Sequence, residues 1–296
     1  MSNLDLSIQV HDRRAGTPTG PAPGTITGTP DGIFQCWQHG ARVFEIRADH
    51  SAAAAAAIPR IQKAGSTDDC VFDLNIGASI PPDFATYRHL FHCATIYCLH
   101  EGPAERIEAT VRALEMPVSL KLSPVLLGNE LEELLPDDYE IAPEAFDNEI
   151  SLPEARDLVN RLQATVKLCN TLEVRNRETG EIMYLSGAGL HPIALRLAEH
   201  WPDRPTGLSA GVNAGTFADC VARGFVPVTA CTDLLKHGPA QFRVYLQNLE
   251  EQMQQLGVTH IPDFIRACPP IPPPPVPPLT PRRIGRHLWL SDWADV

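Results

Sequence analysis

Short apolar, β-rich runs recur along the chain, separated by stretches of helical periodicity, and this alternation restricts the fold more than any other feature. The runs are ARVFEIRA (41–48), CVFDLNIG (70–77), ATIYCLH (94–100), PVSLKLSP (117–124), DYEIAPEAF (138–146), TVKLCNTLEV (165–174), PTGLSAG (205–211) and VPVTACT (226–232). Several are almost continuously apolar, as strands covered on both faces are. Between them, 103–114 opens on Pro and sets Ile107, Val111 and Leu114 on one face. The stretch 154–163 does the same with Ala155, Leu158, Val159 and Leu162, and 191–201 with Ile193, Leu197, Ala198 and Trp201. A short helix is expected at 216–222, ended by Gly224, and a long one at 240–256. Strands alternating with helices pair in parallel. Right-handed crossovers then leave a closed barrel or an open doubly wound sheet. No G-x-G-x-x-G turn supports the open sheet. The expected fold is therefore α/β, a (β/α)8 TIM barrel. The chain of 296 residues suits such a barrel, which takes about 250, with tails.

Counting the N-terminal Gly/Pro segment gives nine strand-like segments, one too many. The run at 138–146 is the expected extra edge element. The expected organisation is a flexible N-terminus (1–15), the barrel (16–268), a polyproline linker (269–281) and a C-terminal tail (282–296). The linker CPPIPPPPVPPLTP reads as extended polyproline. The tail RRIGRHLWLSDWADV is too short to fold alone. Its Leu288, Trp289, Leu290 and Trp293 leave two readings open, packing on the barrel or disorder. By composition alone, the Gly-, Pro- and Thr-rich stretch 14–32 reads as flexible.

A net charge of −12 offers no basic footprint for nucleic acid or for a membrane surface. No apolar run reaches the roughly 18 residues of a membrane span, and the first 16 residues hold no signal-like apolar core. The eight cysteines are scattered without C-x-x-C spacing, so no metal or cluster site is expected. A reduced, cytoplasmic protein is the expectation.

In a barrel, the loops that follow the strands' C-terminal ends form the active face. SAGVN (209–213) and ACTD (230–233) present bare backbone after the last two strands, and such backbone can approach an anion closely. Two readings stand: a phosphate cradle, or small residues that merely allow tight strand-to-helix turns.

MYLSGAGLHPIALRLAEHW, TGLSAGVNAGTFADCVARG and VPVTACTDLL resemble the second half of the dihydroorotate/dihydropyrimidine dehydrogenase FMN barrel. They are more similar still to the N-terminal barrel of the selenate reductase subunit (YgfK-like) family. SLKLSPVLLG, VKLCNTLEV and GEIMYLSGAGLHP fit that family, and TPTGPAPGTITG…HGARVFEIRA resembles its first two strands. The resemblance covers about residues 16–268. It implies a tight strand and loop, not a flexible segment, at 16–32. It also implies FMN, with Gly211, Val212, Cys231 and Thr232 holding the phosphate through backbone N–H. Ser186 and Gly187 would line the ribityl chain, and Asn170 and Thr171 would add polar contacts. Ala22 and Gly24 would let the ring pass close. Lys121 would set a cation beside the flavin, which is how a protein tunes this cofactor.

The chain departs from the family in three places. Arg47-Ala48 stands where the family has a Lys-Thr pair that touches the flavin. The loop His100-Glu101-Gly102-Pro103-Ala104 lacks the family's cysteine, leaving His100 or Glu101 as acid/base candidates. The tail reaches Trp293 where the family's first cluster cysteine begins, so no iron–sulfur cluster is expected on these residues. Electrons would then come from an iron–sulfur or NAD(P)H-oxidising partner, and the substrate would be a small molecule. Two further readings remain open from the residues. One is a non-catalytic scaffold with a partner-binding tail. The other is a flavin-free lyase using Lys121 or Lys167. Lys121 itself could also be the buried half of an ion pair.

Overall fold

The computed structural model describes residues 4–97, 104–147 and 150–293. Eight strands build the central sheet: β1 Thr19–Pro21, β2 Val43–Arg47, β3 Val71–Ile76 and β4 Cys93–Ile96, then β5 Val118–Lys121, β6 Thr165–Leu168, β7 Thr206–Leu208 and β8 Val228–Ala230. Neighbours run β1-β8-β7-β6-β5-β4-β3-β2, and every pair is parallel. At the seam the Arg42 N–H donates to Thr19 O at 2.9 Å. A Cβ on Gly20 would lie 1.5 Å from Val43 O, so only glycine lets β1 come this close to β2. The architecture is the α/β (β/α)8 barrel.

Helices lie outside it, among them Ala104–Leu114, Leu152–Leu162, His191–Ala198, Phe217–Ala222 and Gln241–Gln255, close to the bounds expected from periodicity. A capping box fixes the start of the second of these: Ser151 accepts from the Glu154 N–H and Glu154 accepts from the Ser151 N–H. The helix Ser51–Ala64 has no counterpart in the sequence reading. Its alanine run carries helix propensity but little apolar pattern, and Ala54 and Ala57 bury a face by small size alone.

The segment at 138–146 is the extra edge element: Tyr139–Ile141 lies outside the barrel. The run at 165–174 is two strands. Its first half is β6, and its second half, Leu172–Asn176, leaves the barrel. A second, five-stranded sheet has the order Thr280–Ile284, His287–Ser291, Ile182–Leu185, Leu172–Asn176, Tyr139–Ile141. The C-terminal tail thus packs as a hairpin, with Trp289 beside Tyr184 and Leu290 beside Leu185 in parallel register.

Flexibility was expected of the N-terminus, and the structure differs there. Ile8–Val10 pairs with Arg13–Ala15 in a hairpin beneath the barrel, with Ala15 fully buried. At its tip the His11 imidazole reaches Ser119 Oγ at 3.2 Å, and Ser119 meets Thr165 at 2.7 Å. Residues 14–32 are ordered as the resemblance implies: β1, a turn, then the helix Pro30–Gln38, whose N-cap Thr29 accepts from the Gly32 N–H.

Candidate functional site

Inside the barrel, polar side chains replace the branched apolar layers that commonly fill this fold. Lys167 on β6 donates to Glu45 on β2 and, at 3.1 Å, to Thr229 on β8. Thr229 in turn donates to Glu45 at 2.6 Å. On the next strands Thr95 donates to Asp73 at 2.7 Å. Burial, and then the nearby Glu45 charge, push the Asp73 carboxyl up from its ordinary 3.8 to about 7. The folded protein therefore holds a proton there that the unfolded chain releases, and this contribution to stability is lost as pH rises from about 4 to about 7. Asp73→Asn should flatten that slope. Denaturant titrations at about pH 5 and about pH 8 should show the parent losing more stability between them than the variant.

Above this network lies a cavity of about 600 Å³ at the C-terminal ends of the strands. Its floor is made by residues at or just past those ends: Ala22 after β1, Arg47 ending β2, Lys121 ending β5, Cys169 after β6, Ser209 after β7 and Cys231 after β8. Lys121 and Lys167 are register partners on β5 and β6. Lys167 is buried and committed to Glu45, so the buried ion pair belongs to it and not to Lys121. Lys121 faces the cavity, and among the described residues nothing gives it a hydrogen bond or ion pair. Burial lowers its pKa first; the Glu45 carboxylate opposes this and the Lys167 ammonium adds to it.

The loops after β7 and β8 reach the same cavity through Gly211, Val212, Cys231 and Thr232. Asn213 Oδ1 accepts from the amides of Gly215 (2.8 Å) and Thr216 (3.1 Å), which sets the first loop. His191 Nδ1 holds Ala210 O at 2.9 Å. Gly211 has φ +62° and packs against Gly187 O, where a Cβ would come within 2.6 Å. The amides of Gly211, Val212 and Cys231 have no acceptor among the described residues. Cys231 and Cys169 stay as thiols, since burial raises both despite nearby Lys121.

Of the other residues singled out, Gly24, Thr171, Ser186 and Gly187 also line the cavity. Asn170 does not: its Nδ2 donates to Tyr97 O at 2.7 Å and ties the end of β6 to that of β4. Arg47 lines the cavity, but its guanidinium is bidentate to Asp49 at 2.9 and 2.7 Å, so its charge is spent locally. His100 and Glu101 lie outside the described residues. The sequence reading missed His50, on the turn after β2, whose imidazole burial keeps neutral in preference to charged. It also missed the tail's contribution: Ile284, His287, Trp289 and Trp293 all line the cavity. The only advance signal for the tail was its apolar run. Among the described residues no group of three or more metal-ligating side chains forms, and no helix is long and apolar enough to cross a membrane.

Comparison with known proteins adds to this geometry. The family model described as "Oxidoreductase YgfK, N-terminal TIM-barrel domain" matches residues 84–265. The chain is 31% identical over 175 residues to "Putative oxidoreductase YgfK" of Escherichia coli (strain K12), a match covering 50% of this chain and 17% of that protein. The protein of the same description from Escherichia coli O157:H7 matches to the same extent. The matched stretch is thus a small part of those relatives. With its eight parallel strands and a match over more than half its length, this chain belongs to the family of oxidoreductase YgfK N-terminal TIM-barrel domains.

Proposed function

We propose that this barrel binds FMN in the cavity at its C-terminal face and serves an oxidoreductase that acts on a small molecule. The observation that carries the reading is Lys121, a cation without a hydrogen bond or ion pair among the described residues, on the floor of a cavity that the loops after β7 and β8 line with small residues. The residues fit the group. The volume lies within the roughly 300–1,000 Å³ of ligand pockets; among the described residues, the amides of Gly211, Val212 and Cys231 have no acceptor and the buried Ser186 Oγ has no partner. Gly211, Val212, Cys231 and Thr232 would hold the phosphate and Ser186 and Gly187 the ribityl chain, while Ala22 and Gly24 leave room for the ring.

FMN, when bound, supplies hydride and one-electron chemistry. Lys121, lining the cavity, would offer positive charge to a cofactor that becomes more negative on reduction. His50 brings an imidazole to the same cavity, its charged form disfavoured first by burial, as a group that could accept a proton there. The electron donor in this reading is an iron–sulfur or NAD(P)H-oxidising partner, in the cytoplasm, and the substrate a small heterocycle; these rest on the family relationship. The scaffold alternative in its exposed-tail form is not supported, because Leu290, Ser291 and Trp293 are buried against this chain's own fold.

The purified protein should carry the yellow absorption of oxidised flavin, or gain it with added FMN. Lys121→Met should then weaken FMN binding about tenfold, the worth of one charge-assisted contact, and make the flavin harder to reduce. A colourless protein indifferent to FMN removes the reading. A variant that binds and reduces like the parent removes Lys121 from it.

A further inference from the structure

The C-terminal hairpin does more than cover the fold. It ends on Asp292 and Trp293, and both meet the rim of the cavity. Asp292 Oδ1 accepts the Ala188 N–H at 3.0 Å and the Ser291 hydroxyl at 3.0 Å. Lys236 Nζ donates to Asp292 Oδ2 at 3.1 Å and to its carbonyl oxygen at 2.6 Å. The pair is largely withdrawn from water, with Lys236 6% and Asp292 16% exposed. Burial alone would raise the Asp292 carboxyl, but the Ala188 N–H and Lys236 outweigh it and hold it below the usual range. Gly187 is the residue that admits this contact, since a Cβ there would strike Ser291 Oγ at 2.1 Å and Asp292 Oδ1 at 2.3 Å.

Two polar atoms beside the contact are left over. Trp293 Nε1 and Ser186 Oγ are buried, have no partner among the described residues, and belong to residues that line the cavity. An indole N–H is a donor only, and burying it without an acceptor is costly. Both belong to the junction of the hairpin with the barrel, where the Ser186 N–H donates to Leu290 O at 2.9 Å, three residues before Trp293. Trp289 and His287 present rings to the same space.

We propose that the hairpin is a latched wall of the binding site. The Asp292–Lys236 pair fastens it to the barrel, and Trp293 Nε1–H and Ser186 Oγ–H donate to an acceptor on the bound molecule. The ligand class this wall takes is a compound that joins an aromatic ring to a chain of hydrogen-bond acceptors, the acceptors within reach of Ser186 and Trp293 and the ring in the same cavity as Trp289. The proposal rests on the cavity being a ligand site, as argued above.

The test uses the full chain, with FMN as probe, in three variants. Asp292→Asn and Lys236→Met open the latch, and Trp293→Phe keeps the ring but removes the donor. In protein without added ligand, both latch variants should speed hydrogen exchange of the amides in 287–291 and of Ser186 by about tenfold or more, while the Gln241–Gln255 helix exchanges as in the parent. With FMN bound, the latch variants should release it about tenfold faster. Trp293→Phe should leave hairpin exchange unchanged and still release FMN several-fold faster. Exchange in 287–291 that neither latch variant alters overturns the latch. FMN release from Trp293→Phe at the parent's rate overturns the donor role. If the parent takes up no FMN, the flavin reading fails by itself, and hydrogen exchange still decides the latch.

Discussion

Lys167→Met should destabilise the protein by about 3–5 kcal/mol, the cost of breaking a buried ion pair from one side. The substitution preserves volume but removes the counter-charge that contacts Glu45, which is fully buried and whose second oxygen has no partner among the described residues. It also strips Thr229 of the ammonium it accepts from. Denaturant unfolding monitored by tryptophan fluorescence reads the loss. The double variant Lys167→Met/Glu45→Leu should recover most of it, because apolar replacements of a buried pair are often neutral. Lys121→Met, at the paired position on the neighbouring strand, should change stability by less than about 1 kcal/mol, since it orphans no partner among the described residues. A small loss at Lys167, or equal losses at the two lysines, would contradict the division of labour between them.

Gly20→Ala should be at least as damaging, exceeding about 4 kcal/mol and preventing accumulation of folded protein at growth temperature. The added Cβ would sit 1.5 Å from Val43 O and 2.6 Å from its carbonyl carbon, both backbone atoms that no rotamer change can move. Relief requires β1 to withdraw from β2, which opens the seam where Arg42 reaches Thr19. Gly215→Ala is the matched control: its Cβ would meet nothing closer than Asn213 Oδ1 at 3.4 Å, and soluble yield and melting temperature should stay near the parent's. If Gly20→Ala folds and melts like the control, the barrel is not closed as described.

The barrel was legible because its strands are buried on both faces and so appear as apolar runs, while four of its helices show amphipathic spacing. The division of 165–174 was hidden, since Leu172 and Val174 are as buried as Val166 and Leu168 and nothing local marks where the chain leaves the barrel. The turns after β7 and β8 could be read from their small residues. Which lysine faces the cavity could not, because Lys121 and Lys167 have similar neighbours in sequence and differ only in the carboxylate that a strand about 120 residues away brings to one of them. His50 and the tail were illegible for the same reason. Their position is set by tertiary contacts such as the Arg282 guanidinium stacked 5.7 Å from the Trp293 ring and the Asp292 bond to Ala188.

The parallel docking of His287–Ser291 on Ile182–Leu185 ties the pocket to the order of synthesis. A nascent chain can close its eight-stranded sheet once Ala230 has emerged from the ribosome, yet one edge of the smaller sheet stays bare until about sixty more residues follow. Any small molecule captured before then meets an open bowl, and the finished enclosure exists only after translation has passed the second tryptophan of the tail.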